Sequence, residues 1–530
     1  MLHFINISNK LCFLLFVVFV TLFAVDGFNE ITYQSLGYDE AYNATVAANF
    51  VRYGEYRVSY PDNIIFHNII TTGVPVLIPT AFVFYFWGIN HETSSVIALV
   101  YSIMNIVLLW YFIRIVLGKI TNKNTVLATF LTIFLIISNN YYFFLSTHLL
   151  GEIACVTFLF CGFLCFYHYF EDKNIWCFLG VGFFFVTAFL TKSSTIFFLF
   201  SLLGITILES FITKTIKKEV WLPLFLGILL AFLLIDGFKL FQLGTFSNYL
   251  DWWLAEFKNM SNQSGGEKVD MWDKILYLSD IFGCSWEASI ILISYPIFFY
   301  IFHIFNRFSK NPCSTNPTLV IMGVSGVSLI VYFILFGDSG LVYARRHAIN
   351  VFFIRVTVLI HALITVILYY RKQHNYKYIF IILLVSLVSP GLITVDSIKN
   401  NINSLFTQRT EKDYGYELMS TYLTQVSKLP KSATLYTMGW WQEPNVTLFL
   451  DRKMTNAEGL FNGSRHLTEN CYLLIGHLIN DLSKKDAEEK LNVRLIRINN
   501  IEVDYDKLSY PFDHMDYLNY SIYSIKKCSQ

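Results

Sequence analysis

Eleven apolar runs in this chain are long enough to cross a bilayer, and that pattern fixes its class before any motif is read. A helix needs roughly 17–25 apolar residues to span about 30 Å of hydrocarbon. Such runs fall near 11–28, 94–116, 125–145, 152–170, 175–191, 195–212, 220–238, 288–306, 318–336, 347–370 and 378–395. A further run at 75–88 is too short to span. With Pro75 early in its first turn, it reads as a helix lying on the interface. Of the 530 residues, 55% are apolar and 15% charged, too little polar surface for a water-soluble fold of this size. A net charge of +1 provides no basic field for nucleic acid.

Charge asymmetry orients the bundle. With the N-terminus inside, the cytoplasmic turns hold Lys10, Lys119, Lys123, Lys173, Lys214, Lys217, Lys218, Arg307, Lys310, Arg371, Lys372 and Lys377. The first run reads as an uncleaved helix, because Phe23-Ala24-Val25 provides no small-x-small cleavage pattern. The outer face then receives the loop 29–93, the turn at His148 to Glu152, the turn at Lys192, the loop 239–287, the segment Gly337 to His347 and the tail from about 396. The expected organisation is a transmembrane domain over 1–395 and a small extracytoplasmic α/β domain over 396–530. In the tail, strands are expected at Ala433–Thr437, Val446–Leu450, Cys471–Ile475, Arg494–Ile498 and Tyr517–Ile525, with a helix near Asp486–Leu491. No glycine-rich nucleotide loop is found there.

The nine cysteines show no metal-ligand spacing, and no metal ligands are assigned. Cys471 and Cys528 share the tail and can pair if it lies outside the cytosol. Sequons occur at Asn6, Asn43, Asn259, Asn262, Asn445, Asn462 and Asn519.

The unusual polar residues all fall on the predicted outer face. Asp39 and Glu40 open an amphipathic run that ends at Gly54. One reading makes Asp39 a helix N-cap with Glu40 in the favoured first turn. The other makes Asp39 a general base, a role worth roughly 10²–10⁴ in rate. Glu152 sits at the outer edge of a span, where an ionisable group is costly unless solvated or used. His67 and His148 lie on the same side. Lys192 is the only charge between Lys173 and Glu209, and reads either as a snorkelling lysine or as a phosphate ligand. Arg345 and Arg346 run against the positive-inside trend, and their planar forks suit phosphate oxygens. Trp252 and Trp253 stand beside Asp251, a pattern that suits an interfacial belt better than a sugar-stacking wall.

Taken in order, these motifs resemble the GT-C glycosyltransferase superfamily, in the branch of the protein O-mannosyltransferases and the bacterial aminoarabinose transferases. Tyr38-Asp39-Glu40 with Ala48 to Gly54 is similar to that family's acidic motif and juxtamembrane helix. Thr72-Gly73-Val74-Pro75 through Trp87-Gly88 resembles its second juxtamembrane helix. Gly151-Glu152 resembles its second-loop acid, and Leu190-Thr191-Lys192 its lysine at a span junction. The resemblance is strongest over about 1–200.

It implies an all-α GT-C bundle of about eleven membrane helices, with juxtamembrane helices in the first outer loop. It also implies sugar transfer from a polyprenyl-phosphate donor to a hydroxyl on a glycan, lipid or protein acceptor. Asp39 would be the base of an inverting reaction, with Glu40 and Glu152 as further catalytic acids. Lys192, Arg345, Arg346, His67 and His148 would contact the donor's phosphate or sugar. Metal need varies in that family, so a divalent cation stays open as a cofactor. A bacterial inner membrane with a periplasmic site is expected, or the ER membrane in a eukaryotic host. The competing readings are a lipid or solute transporter or flippase, and a non-catalytic relative of the same fold.

Overall fold

The structure, a computed structural model, describes residues 2–527 apart from 60–63, 68–69, 71, 119–123, 212–213, 215, 263–269, 271, 274–275, 277–285, 308–316, 337–350, 371–394, 407–411, 439–442, 458–459, 461–470, 476–487, 490 and 502–519. Ten of the eleven expected spans fall on helices, and the run 378–395 lies almost wholly outside the described residues. Among the described residues, four helices are long and apolar enough to cross a membrane: Asn9–Tyr33, His91–Gly118, Glu152–Asp172 and Lys218–Leu243. The remaining expected spans fall on helices that include shorter apolar stretches such as Cys177–Thr191 and Phe198–Phe211.

One expected span is broken. The run 125–145 forms α5 (Asn124–Ile137) and α6 (Asn140–Ser146), because Ser138-Asn139 interrupts it. The Asn139 side chain accepts from Tyr142 N–H and caps the second helix.

The first outer loop forms two helices, α2 (Tyr38–Tyr53) and α3 (Val74–Trp87). Gly54 ends α2 at φ 72°, a left-handed backbone that glycine reaches without steric cost. Helix α3 buries Val76, Leu77, Thr80, Ala81 and Phe84 and exposes Phe82, Tyr85, Phe86 and Trp87. That division, with its aromatic outer end, fits a helix on the membrane interface.

The tail builds a five-stranded mixed sheet: β1 (Thr434–Met438), β2 (Met454–Asn456), β3 (Cys471–Ile475), β4 (Val493–Ile501) and β5 (Tyr520–Lys527), in the order β2-β1-β3-β5-β4. Strand β1 runs parallel to β2 and β3, while β5 is antiparallel to both β3 and β4. The expected strand Val446–Leu450 is instead part of a helix, Glu443–Leu450. Pro444 sits in that helix's first turn, where its missing N–H costs nothing. Residues Pro444 to Leu448 are buried without a break, so no helical period is visible in the sequence. Cys471 is buried, and Cys528 lies outside the described residues.

The helix Glu443–Leu450 docks on α2. Arg52 donates to the carbonyls of Leu448 (2.7 Å) and Thr447 (3.3 Å) and pairs with Asp451 (3.3 Å). Thr45 donates to Pro444 O at 3.2 Å. One apolar cluster runs through α2, α3 and the sheet, joining Ala44, Leu77, Leu418, Val446, Leu474 and Ile522. The tail and the first loop therefore pack against each other. The sequons at Asn43 and Asn445 are buried at 0% and 1% exposure, closed to any modifying enzyme in the folded chain.

Candidate active site

The first turn of α2 positions the acidic pair. The N-cap is Gly37, so Asp39 and Glu40 occupy the second and third helical positions, where the helix dipole favours carboxylates. The expected N-cap role for Asp39 is thus filled by Gly37. Asp39 is partly exposed, whereas Glu40 is 2% exposed and folds back. Its Oε2 accepts from Gly37 N–H at 2.9 Å, and its Oε1 accepts from Leu149 N–H at 2.9 Å. Burial raises the Glu40 pKa above the ordinary carboxylate range, against the opposing pull of His148 and the two N–H donors.

The segment 147–152 is gripped from three sides. Glu40 holds the N–H of Leu149. Asn43, one turn further along α2, donates to Leu149 O at 2.8 Å and to Thr72 Oγ1 at 3.0 Å. Lys192, at the end of α8 (Cys177–Thr191), donates to Leu150 O at 3.1 Å and to Glu152 Oε1 at 2.8 Å. Gly151 takes φ 84° so that Glu152 can begin α7 (Glu152–Asp172) beside it. Glu152 is 6% exposed, and its second oxygen, Oε2, has no hydrogen-bond partner among the described residues.

Gly73 closes the junction. Its N–H donates to Thr191 O at 2.9 Å, and a Cβ there would fall 1.8 Å from Leu190 O. Only glycine lets the start of α3 press its backbone onto the end of α8. Two hydrogen bonds and two residues of backbone connect the Glu40 carboxylate to the Lys192 ammonium. The two charges are thus no more than about 15 Å apart.

The structure separates the expected residues into groups. Glu40, Glu152 and Lys192 converge on the segment 149–152, and Asp39 precedes Glu40 in the first turn of α2. His148 lies beneath it, 5% exposed, with its ring against the Gln34 amide and the Phe144 carbonyl and 3.8 Å from Glu40. Its placement is that of a packed clamp. His67 lines a pocket on the other side of the Gly73–Thr191 contact from Glu40 and Glu152, whose side chains are not part of its lining. Arg345 and Arg346 lie outside the described residues. No cluster of three or more His, Cys, Asp or Glu side chains placed to hold a metal is found among the described residues.

That pocket, a small open cavity of about 50 Å3, was not anticipated as a site. It sits between the start of the helix Gly237–Leu243 and α12 (Phe246–Asn262), over a floor of Thr72, Gly73, Thr191 and Ser193. Its centre is a buried ion pair, Lys239 Nζ to Asp236 Oδ1 at 2.8 Å. Asp236 also accepts from Tyr249 OH at 2.7 Å and Trp253 Nε1 at 3.0 Å. Lys239 Nζ lies 3.5 Å from the ring centre of Trp252 and 4.3 Å from that of Trp253. Glu256 completes the wall, with its pKa raised by burial against the pull of Ser193 and Lys239. Asp236 ends a π-turn, Phe232–Asp236, in the span; such turns are frequent at functional sites. Two charges three residues apart at the end of an apolar run were the available signal.

No family model matches the chain, and no curated protein matches it. Among solved structures, the chain is similar to ArnT from Cupriavidus metallidurans in the apo state, at 10% identity and a TM-score of 0.51, over 96% of this chain and 97% of that one. It also matches the Archaeoglobus fulgidus oligosaccharyltransferase solved with Zn and sulfate, at 12% identity and a TM-score of 0.43, over 86% of this chain and 67% of that one. The near-complete mutual coverage with ArnT shows that this chain shares its fold.

Proposed function

We propose that the chain transfers a sugar from a polyprenyl-phosphate donor to an acceptor hydroxyl on the extracytoplasmic face of a membrane. The acceptor oxygen attacks the anomeric carbon from the face opposite the phosphate. The bond between that carbon and the phosphate oxygen breaks, and its electron pair leaves on the lipid phosphate. The acceptor proton passes to Asp39, and the anomeric centre inverts. Lys192, with Arg345 and Arg346, neutralises the charge that develops on the leaving phosphate. Glu152 holds Lys192 in place and presents its unpartnered oxygen to a substrate hydroxyl. Glu40 and His148 act through position, fixing the segment 147–150 against α2.

One observation carries this reading. Glu40 and Lys192 come from elements about 150 residues apart, yet they grip the adjacent residues Leu149 and Leu150. That shared grip supports a site in which the acids and the cation act together beside α3. The expected setting is a bacterial inner membrane with the site facing the periplasm. The test is mass analysis of cell-envelope glycans and glycolipids in a strain lacking the chain, complemented by wild type or by Asp39→Asn. A sugar that disappears and returns only with wild type supports the reading. An unchanged glycan profile in the deletion contradicts it.

A further inference from the structure

The pocket around Lys239 takes no part in the transfer step proposed for Asp39 and Lys192. We propose that it is a carbohydrate subsite that holds the sugar ring of the lipid-linked donor, with Trp252 and Trp253 as its walls and Asp236, Lys239 and Glu256 as its hydrogen-bonding groups. This inference rests on the glycosyltransferase reading and extends it to donor recognition.

The two tryptophans are built into the protein rather than spread in the bilayer. Trp252 Nε1 donates to Phe66 O, and Trp253 Nε1 to Asp236 Oδ2. Trp253 stacks on Phe189 at 5.5 Å between centroids, and the two indoles meet edge to face at 5.0 Å. The exposed apolar stripe of α12 is instead Phe246, Leu250, Leu254 and Phe257, at 46–68% exposure. Helix α12 thus turns an exposed apolar edge outward and its tryptophans to the pocket.

The charges select the ligand class. Lys239 is already compensated by Asp236, and Glu256 adds a second carboxyl group. A phosphate placed here would meet two acidic side chains for one ammonium. A neutral ring of hydroxyls meets donors, acceptors and aromatic faces together, the usual make-up of a site for a polar small molecule. The pocket floor, Thr191 and Ser193, brackets Lys192 in the chain. A ring seated there lies next to the cation proposed for the phosphate.

The test uses the purified full-length chain in nanodiscs. Its probes are a short-chain polyprenyl phosphate and a panel of the same lipid bearing hexoses or pentoses. The expected result is that at least one sugar-bearing lipid binds wild type about tenfold or more tightly than the bare lipid phosphate. Trp252→Ala and Trp253→Ala erase that preference and leave bare-lipid affinity within about twofold, while Trp252→Phe retains most of it and confirms that the fold survives. A sugar preference that persists in both alanine variants overturns the subsite and leaves the glycosyltransferase reading intact. Equal weakening of both lipids, or no preference in wild type, also overturns it. If no polyprenyl phosphate binds at all, both the subsite and the transfer reaction fall.

Discussion

Gly73→Ala tests whether the junction of α3 and α8 sets the geometry of the site. The added Cβ would lie 1.8 Å from Leu190 O, 2.9 Å from Leu190 C and 3.0 Å from Thr191 Cα. All three are backbone atoms, so no side-chain rotation relieves the clash. Ordinary contact begins at 3.4 Å, and the difference from 1.8 Å means the two segments must part by roughly 1.6 Å. Parting them breaks the bond from Gly73 N–H to Thr191 O, a loss of about 1 kcal/mol, and overpacking adds about 1–3 kcal/mol. Misplacement by about 1 Å near a reacting centre costs on the order of 10²-fold in rate. Lys192 follows Thr191 directly, so kcat/KM for sugar transfer should fall by about 10²-fold, with a lower unfolding midpoint in detergent. Gly204→Ala is the control: a Cβ there meets nothing within 4 Å, and alanine favours the helix. A Gly73→Ala protein with the wild-type rate and midpoint would refute the argument, because the packing that aligns the segments would then be dispensable.

Two further substitutions separate positioning from chemistry. Glu40→Gln turns an amide NH2 toward one of two buried N–H donors and should cost about 1.5–3 kcal/mol, read as a lower unfolding midpoint. Because burial raises the Glu40 pKa, the folded chain holds its proton longer than the unfolded one. Wild-type stability relative to this variant should therefore fall as pH rises from the ordinary carboxylate pKa to the raised value, then stay level. Lys192→Met leaves Glu152 nearly buried without its cation and should cost about 3 kcal/mol. Adding Glu152→Gln should restore most of that stability without restoring transfer, which a double-mutant cycle on unfolding and rate will show.

Much of the scaffold was legible because its signals are local. The run from Glu40 to Tyr53 with Gly54 behind it, and Pro75 at the start of an apolar stretch, predicted α2 and α3 within two residues. The strand Cys471–Ile475 matched the expectation at both ends. The strand-like composition of Val446–Leu450 misled because that segment packs between α2 and the sheet, so its burial has no period. The junction of acids and lysine was legible as a list of residues on one face. Its wiring was not, since nothing local says that Glu40 reaches Leu149 or that Gly73 seats on Leu190. The Lys239 pocket escaped because Asp236 and Lys239 straddle the expected end of a span. The tryptophans beyond them have the composition of an interfacial belt, but that exposed stripe is made by Phe246, Leu250, Leu254 and Phe257.

The central claim is that Asp39 removes the acceptor's proton during sugar transfer from a lipid phosphate. Its most direct test is the single-turnover rate of transfer from a polyprenyl-phosphate sugar by the reconstituted chain, compared with Asp39→Asn at equal donor occupancy. The account predicts an inverted product from wild type and a loss of about 10²–10⁴ in the variant, with the unfolding midpoint unchanged. A variant that transfers at the wild-type rate, or a wild-type product that retains the donor's configuration, would contradict it.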